Sequence, residues 1–530
     1  MGKRKVAGRA VAAITAAAAV VGLAACGGSS SSSAAGGAAA GSSASGAPKA
    51  GGSITVGGLL TQLLDPGQAG YSAQSGPIDA QIFGSLFLPP ATATGPIQPN
   101  LATGYTYSDG NKVLTITLRP GVKFSDGSPM DVSAVLWNLD RYNTAASLNH
   151  QYFTAVSSMK AGSAPNTIAI TFKQPYTLLP TALASTAAGY MASPTSFKEI
   201  GASKFALQPV GAGPFKVASV NPGNKLVLTK SANYWDAAHV YLNQVTYLAS
   251  GTDSSSYVDL QSGAIQSYQF PGTSITATVV SEALNNPSLS VTKTPSTFYS
   301  IMPIDTFKAP FNNVAARQAL AYCTDRQSIT QNVTMGLTQP AYILSGAQSS
   351  YLTDGVNTAK SLNPLPYDPA KGTALVKQLG GLSFTLIEQT PSDIVTALQQ
   401  QWAQCGIHAN ISILNSYLTN IEDGTYQIAY TTVPNLSFNP LLWTTYQNQA
   451  TPQGKYGFSD AQITSMINQA KTLTDTTQLQ ALWHQIWTRE AQLVVDLPIL
   501  TAPNYIANAK CLQGVQSNLG AQYTHAYLSC

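Results

Sequence analysis

A stretch made almost entirely of glycine, serine and alanine, residues 27–51, divides this chain into a short amino-terminal segment and a body of about 480 residues. Such a composition has little apolar surface to offset the entropy lost when a chain is ordered, so the stretch is predicted to be a flexible tether. The body is too long for one hydrophobic core, because single cores stop growing near roughly 250 to 300 residues. We therefore expect it to fold into two or three lobes.

The amino-terminal segment predicts export. Four basic residues among the first nine precede an apolar run over residues 10–21, and Leu-Ala-Ala-Cys follows, ending at Cys26. This is the order of a secretory signal peptide, and the run is shorter than the about 20 apolar residues that span a bilayer. Leu-Ala-Ala-Cys resembles the lipobox of bacterial lipoproteins. We expect residues 1–25 to be a signal peptide and Cys26 to carry lipid at the outer face of the cell membrane. The alternative is an ordinary signal peptide with a chance cysteine.

The charge balance excludes two classes of partner. The chain has 27 basic and 23 acidic residues, so removing the four basic residues of the signal leaves 23 of each. A neutral surface argues against nucleic acid as a partner and against a polybasic membrane patch. The low charged fraction, 9%, fits a protein that works outside the cell.

The sequence has no recognisable metal or catalytic motif. The five histidines are scattered, no two cysteines have Cys-x-x-Cys spacing, and neither Gly-x-Ser-x-Gly nor His-Glu-x-x-His occurs. We therefore expect no metal, no cofactor and no catalysis. An enzyme stays as an alternative, because acids far apart in sequence can meet in the fold.

The body mixes strand and helix patterns. Residues 105–118 predict a β-hairpin, because a Ser-Asp-Gly-Asn turn is followed by apolar residues at alternating positions. Asp131 is predicted to cap a helix that carries Val135 and Leu139 on one face. This mixture indicates an α/β body.

Residues 114–141, LTITLRPGVKFSDGSPMDVSAVLWNLDR, resemble the hallmark segment of the family 5 extracellular solute-binding proteins, the oligopeptide, dipeptide and nickel binders of ABC importers. Further blocks that are similar to the family follow in its order: residues 209–235 with a Gly-x-Gly-Pro hairpin, 260–263, 310–326, 367–380, and the segments at 457–460 and 496–498. The resemblance covers residues 52 to about 503.

The resemblance implies a two-lobed, periplasmic-binding-protein-like α/β fold with an inserted third domain and a hinge of two crossing strands. Lobe one is expected at residues 52–90, 193–291 and 497–530, the inserted domain at 91–192, and lobe two at 292–496. The family resemblance further implies a monomer that captures a small molecule between its lobes and delivers it to an ABC permease. An extracellular sensor or an enzyme on the same fold is the alternative.

Two features within these blocks are interpreted as structural. Gly211 and Gly213 lack the Gly-Lys ending of a phosphate loop, so they are attributed to backbone geometry. Arg317 and Arg326 are predicted to clamp carbonyl groups or to form structural ion pairs rather than to contact ligand.

Four cysteines remain once Cys26 carries lipid, and an even number in an oxidising compartment predicts two disulfides with three possible connectivities. Cys323 and Cys405 each end a predicted helix in the expected lobe two, so we predict that they pair. Cys511 and Cys530 both lie in the carboxy-terminal segment and are predicted to form the second bridge. Four free thiols are the alternative.

The ligand itself cannot be named from the sequence. In peptide-binding relatives an aspartate pairs with the ligand's amino group, but the matching stretch, residues 430–440, has Leu436 at or beside that place. No acid lies between Asp423 and Asp460. Amides and hydroxyls interleaved with aromatic rings suit a neutral or weakly polar solute, such as a sugar or a capped peptide.

Eight residues are predicted to contact this solute, six from lobe two and two from the loop of lobe one that faces the cleft in relatives. They are Tyr430, Thr432, Asn435, Phe438, Asn439, Trp443, Tyr71 and Gln74. For Phe438 and Trp443, a place in the core of lobe two is an equal alternative, because aromatic side chains commonly fill cores.

Overall fold

The computed structural model of the chain describes residues 48–58, 64–68, 75–90, 96–270, 276–345, 351–352, 354–434, 458–517 and 520–530. Within them the strands form a nine-stranded, a four-stranded and a three-stranded sheet and two ribbons. The strands are β1 (Ser53–Gly58), β2 (Phe87–Leu88), β3 (Gln98–Pro99), β4 (Ala102–Ser108), β5 (Val113–Leu118), β6 (Val156–Ala161), β7 (Thr167–Phe172), β8 (Phe215–Asn221), β9 (Lys225–Lys230), β10 (Gln244–Ala249), β11 (Ser267–Phe270), β12 (Leu289–Pro303), β13 (Gln339–Pro340), β14 (Leu382–Glu388), β15 (Ile407–Ile413), β16 (Ile428–Ala429), β17 (Thr431–Pro434), β18 (Asp496–Ala509), β19 (Leu512–Gln513) and β20 (Tyr527–Leu528).

Helices pack against these sheets, which makes the fold the predicted α/β class. The α-helices are α1 (Ser75–Phe83), α2 (Val132–Tyr142), α3 (Leu179–Ser185), α4 (Pro194–Ile200), α5 (Ala202–Phe205), α6 (Asp253–Ser262), α7 (Ala277–Asn285), α8 (Val314–Tyr322), α9 (Arg326–Ser328), α10 (Gly355–Leu362), α11 (Pro369–Gln378), α12 (Asp393–Gln404), α13 (Tyr417–Glu422), α14 (Ala461–Ala470) and α15 (Thr476–Leu493). A π-helical turn, Ile329–Val333, extends α9.

Lobe one is built on the parallel part of the nine-stranded sheet, whose order is β17-β12-β18-β11-β1-β10-β9-β8. Strand β1 pairs in parallel with both β10 and β11. Helix α6 connects β10 to β11, as the crossover between parallel strands requires. Ile54 and Val56 of β1 are buried at alternate positions, the period of a strand.

The predicted insertion, residues 91–192, contains the four-stranded antiparallel sheet β4-β5-β7-β6. The predicted hairpin is confirmed as β4 and β5, and turn residues 109–111 all have positive φ, a conformation that Gly, Asn and Asp adopt most readily. Helix α2 begins as predicted, because Asp131 Oδ1 accepts a hydrogen bond from the Ala134 N–H at 2.9 Å.

The predicted structural role of the Gly-x-Gly-Pro block is confirmed, because close backbone packing requires its two glycines. A Cβ atom at Gly211 would lie 2.3 Å from the Ile82 carbonyl oxygen, and one at Gly213 would lie 2.4 Å from that of Gln81. The hairpin β8–β9 therefore begins where its backbone passes directly against α1. Only glycine permits so close an approach.

Lobe two repeats the local arrangement of lobe one. Strand β14 pairs in parallel with β15 and β16, and α12 connects β14 to β15. Phe384 of β14 and Trp402 of α12 are buried with ring centroids 5.7 Å apart. The Trp402 Nε1–H donates to Thr324 Oγ1 at 3.0 Å, so the one polar atom of this ring is satisfied in the core.

The structure joins Cys323, at the end of α8, to Cys405, at the end of α12, with Cα atoms 6.4 Å apart. This lies within the roughly 4.4 to 6.8 Å that a disulfide requires. The geometry supports the predicted bridge, whose formation in the exported protein stays a prediction.

The second predicted bridge is not formed in the structure, where Cys511 and Cys530 carry free thiols. Their segments do meet, because β19 pairs with β20 and the Ser529 N–H donates to the Cys511 carbonyl at 2.8 Å. Burial and the adjacent Cys530 thiol raise the pKa of Cys511.

Two long antiparallel strands, β12 and β18, cross between the lobes. Their pairing register shifts at three places between Lys293 and Ile301. Near the first shift the buried Asn504 N–H donates to Thr294 Oγ1 at 3.1 Å. Such irregularities bend a strand, and the place where two lobes join is where a hinge acts.

Both arginines interpreted as structural bind carbonyl groups. Arg317 donates to the carbonyl oxygens of Leu493 at 2.8 Å and Phe311 at 2.5 Å. The Arg326 Nε–H donates to the Pro498 carbonyl of β18 at 2.6 Å. The predicted carbonyl clamps are confirmed: Arg326 attaches α9 to the start of β18, and Arg317 attaches α8 to the end of α15.

Core packing places the end of lobe two later in β18 than residue 497, the expected boundary. Leu497, Ile499 and Leu500 lie in the buried cluster of lobe two, whereas Tyr505 and Ile506 lie in those of lobe one. The first half of β18 pairs with the end of β12, which has already entered lobe two. The other boundaries stay predictions.

The inserted domain also packs against helices from the expected lobe two. Side chains of α14 and α15 share one buried cluster with those of the four-stranded sheet and α3. At this contact, Thr177 Oγ1 donates to the Lys471 carbonyl at 3.3 Å. The described residues of 292–496 are thus divided among three buried clusters.

Candidate functional site

A cavity of about 1220 Å³ lies between the two lobes. Residues 56–58, 250–253 and 268–269 line it from lobe one, and residues 388–394 and 430–432 line it from lobe two. On both sides several of these residues lie at or just after the carboxyl ends of parallel strands: 56–58 end β1, 250–253 follow β10, and 388–394 lead from the end of β14 into α12. Crevices outside such ends are where open α/β sheets bind their ligands.

The wall from lobe one ends at the first turn of α6. Thr252 caps this helix by accepting from the Ser255 N–H at 3.2 Å, and Asp253 follows at the first helical position. The buried Tyr268 hydroxyl donates to Asp253 Oδ1 at 2.9 Å. Burial, and to a smaller extent the Asp253 charge, raises the pKa of Tyr268 well above its usual range. The Tyr268 hydroxyl therefore stays a hydrogen-bond donor.

The wall from lobe two has the same form, with β14 leading into α12. Ser392 caps α12 by accepting from the Ile394 N–H at 3.2 Å, and Asp393 stands at the first helical position. Glu388, the last residue of β14, is 3% exposed, and its Oε2 atom has no hydrogen-bond partner. Burial raises the pKa of Glu388 to about 7, although the Ser392 N–H partly opposes this.

Two tyrosines lie beside Glu388. The Tyr417 hydroxyl donates to the Tyr430 carbonyl at 2.8 Å, and the Tyr430 N–H donates to the Ile387 carbonyl of β14 at 3.0 Å. Burial raises the pKa of both tyrosines to about 12. They therefore present neutral aromatic surface to this corner of the cleft.

Of the predicted contact residues, Tyr430 and Thr432 line the cavity, and Thr432 is held there by its pairing with Ser300 of β12. Their contact with ligand stays a prediction. The remaining predicted residues, Tyr71, Gln74, Asn435, Phe438, Asn439 and Trp443, together with Cys26, lie outside the described residues.

Sequence reasoning missed the acids of the cleft. It looked for a carboxylate in residues 430–440, whereas Glu388, Asp253 and Asp393 come from strand-to-helix junctions. A signal was present, because Glu388 ends the apolar strand LSFTLIE and a cap residue and helix follow. A charged residue at the carboxyl end of a buried strand faces the edge where ligands bind.

The described residues contain no group of three or more His, Cys, Asp or Glu side chains placed to hold a metal ion. Among the described helices, none combines the length and the apolar character needed to cross a bilayer.

The family model described as bacterial extracellular solute-binding proteins, family 5 Middle, matches residues 96–455. The chain belongs to this family. Among curated relatives, this family 5 member is 31% identical over 324 residues to a glutathione-binding protein, GsiB, of Salmonella paratyphi A. The match covers 60% of this chain and 61% of the relative, so the chain spans about three fifths of the length of the curated relatives it matches.

Solved structures show the same fold. The periplasmic binding protein DppA from Helicobacter pylori, in complex with the peptide STSA, aligns over 91% of this family 5 member and 99% of its own chain, with a TM-score of 0.77 and 20% identity. NikA from Brucella suis, in complex with Fe(III)-EDTA, aligns over 90% and 100%, with a TM-score of 0.78 and 19% identity. The chain therefore has the two-lobed fold of these binding proteins.

Proposed function

We propose that this chain is an extracytoplasmic solute-binding lipoprotein. It acts as a monomer that captures a small peptide-like or other polar solute between its lobes and delivers it to the permease of an ABC importer. In this proposal it is a binding protein and not an enzyme.

The observation that carries the proposal is the cleft between the lobes. Both walls are formed by carboxyl ends of parallel strands and helix N-termini, and the crossing strands β12 and β18 are irregular where they leave lobe two. Hinge closure around a ligand is the known mode of action of such two-lobed proteins. The family supports this, because it consists of extracellular solute-binding proteins.

The names of relatives favour a peptide-like solute. One set of relatives is named for glutathione, and the H. pylori structure contains a tetrapeptide. Peptide backbones offer donors and acceptors that suit the hydroxyls and amides on both walls of the cleft.

Closure can be tested with the exported full chain carrying Cys26→Ser. A thermal-shift screen of short peptides, glutathione included, should find a solute that stabilises the protein. A ligand present at 100 times its Kd adds about 2.7 kcal/mol to the free energy of unfolding. Solution scattering with this solute should give a smaller radius of gyration. Identical scattering with and without saturating solute would count against capture by closure.

Membrane attachment is tested by the same substitution. With Cys26 intact, the protein should stay in the membrane fraction after a high-salt wash, because a lipid anchor is held by apolar contact. The Cys26→Ser protein should be soluble or unprocessed. Salt-resistant attachment of the variant would contradict lipidation at Cys26.

A further inference from the structure

The cleft has an uneven charge. Its described lining residues include three carboxylates, Asp253, Glu388 and Asp393, and no lysine, arginine or histidine. A cleft lined by one sign of charge concentrates solutes of the opposite sign. An acidic solute would meet like charge on both walls.

The helix N-termini at the cleft do not favour an anion either. Helix N-termini attract negative charge, but Asp253 and Asp393 already stand in the first turns of α6 and α12. Each helix thus has its own carboxylate at the end that faces the cavity.

Glu388 differs from these two aspartates in its burial. It lines the cavity, yet it is 3% exposed and its Oε2 atom has no hydrogen-bond partner. Removing a carboxylate from water without a paired cation is unfavourable. The missing partner is readily supplied by a molecule that enters the cavity.

We propose that the cleft binds a solute carrying an alkylammonium group and that the Glu388 carboxylate pairs with this group. The proposal rests on the proposed solute-binding function and names the class of solute. The charge comes from the end of β14, not from residues 430–440, where the family's aspartate is absent. The neutral rings of Tyr417 and Tyr430 line the same corner, and aromatic faces stabilise a neighbouring cation.

An alkylammonium group can come from the free amino terminus of a peptide or from a free amine. Trialanine amide and spermidine represent these two sources. N-acetyl-trialanine amide is the uncharged control, because acetylation converts the ammonium group of the first probe into a neutral amide.

Calorimetric titration of the exported Cys26→Ser protein with the three probes tests the pairing. At pH 7.5, where a peptide α-amino group with a pKa of about 7.7 to 8.0 is still mostly protonated, at least one ammonium probe should bind about ten times or more tightly than the acetylated control. Glu388→Gln should remove that preference, because glutamine keeps the shape without the charge. Glu199→Gln, the same change at an exposed position of α4, should leave it intact.

Each outcome supports or overturns the pairing of the ammonium group with Glu388. If Glu388→Gln binds the ammonium probes as tightly as its parent, or if the parent binds neither of them, the assignment to Glu388 is overturned. A neutral probe that binds with compaction in solution scattering would still uphold capture between the lobes. Binding of spermidine alone indicates a free amine as the solute, and binding of trialanine amide alone indicates a peptide.

The pH dependence of binding distinguishes an ion pair with Glu388 from a merely structural role of this residue, because a structural role would not change affinity with pH. Titratable groups facing Glu388 are Tyr417, Tyr430 and Asp393, and the tyrosines stay neutral through this range. With a Glu388 pKa of about 7, affinity for the ammonium probe should rise about fivefold to eightfold from pH 6 to pH 7.5, because the carboxylate ionises while an α-amino group, with a pKa of about 7.7 to 8.0, loses only part of its charge. A flat profile identical to that of Glu388→Gln would overturn the proposal.

Discussion

The two walls of the cleft are alike in backbone and unlike in how they hold their acids. Each has a parallel strand leading into a capped helix with aspartate at its first position. In lobe one the acid, Asp253, receives a hydrogen bond from Tyr268. In lobe two Glu388 lies deeper, with one oxygen unpaired. Burial and partners, rather than the presence of charge, therefore distinguish the two walls.

The walls also differ in how their helices are fixed. Helix α12 of lobe two ends at Cys405, which the structure joins to Cys323. Helix α6 of lobe one ends at Gly263 in a left-handed conformation, without a covalent tie. This difference in covalent attachment gives the largest effect on stability that we expect.

Replacing both Cys323 and Cys405 by serine should lower the free energy of unfolding by about 2 to 5 kcal/mol, because the bridge spans 82 residues and limits the unfolded chain. Denaturant unfolding measures this. The matched control is Cys511→Ser with Cys530→Ser, which should change stability by less than about 0.5 kcal/mol, since these thiols are free. Equal losses of stability in the two double variants would show that a covalent bridge does not distinguish lobe two from lobe one.

Glu388→Gln should stabilise the unliganded protein at pH 8 by about 1 to 2 kcal/mol. The pKa of Glu388 is raised from 4.5 to about 7, so the folded state keeps a proton that the unfolded state has lost. Stability therefore falls as pH rises from about 4.5 to 7, and glutamine removes that fall. One pKa unit corresponds to about 1.4 kcal/mol, part of which water in the cleft screens.

Asp253→Asn is the matching change on the other wall. Asparagine keeps an acceptor for the Tyr268 hydroxyl but loses the first-turn charge, so stability should fall by about 0.3 to 1 kcal/mol and equally at both pH values. Melting curves at pH 5 and pH 8 compare the two variants. If both respond alike to pH, burial of Glu388 is not what separates the walls.

Loss of a helix cap should have the same effect on both walls. Ser392→Ala and Thr252→Ala each remove a helix cap, which costs about 1 kcal/mol. Thermal unfolding of the two variants measures this loss. A loss on one wall alone would show that the two helix starts are not equivalent.

Local features of the fold were predicted well because neighbouring residues decide them. The turn at residues 109–111, the cap Asp131 and the close-packed Gly211 needed only sequence spacing and residue chemistry. Carbonyl clamps by Arg317 and Arg326 were also predicted, since arginines among apolar helical residues need acceptors nearby.

What the sequence by itself determined is the class of the protein: the α/β body and the two-lobed family fold follow from short-range patterns and ordered blocks. What only the tertiary structure decided is the chemistry of the cleft. Glu388 and Asp253 are 135 residues apart in the chain and meet across one cavity. Burial removes water from Glu388 while Asp253 gains a tyrosine partner. Solvation and pairing belong to the folded surroundings of a side chain, so a search along the sequence for an acid at one family position could not find them.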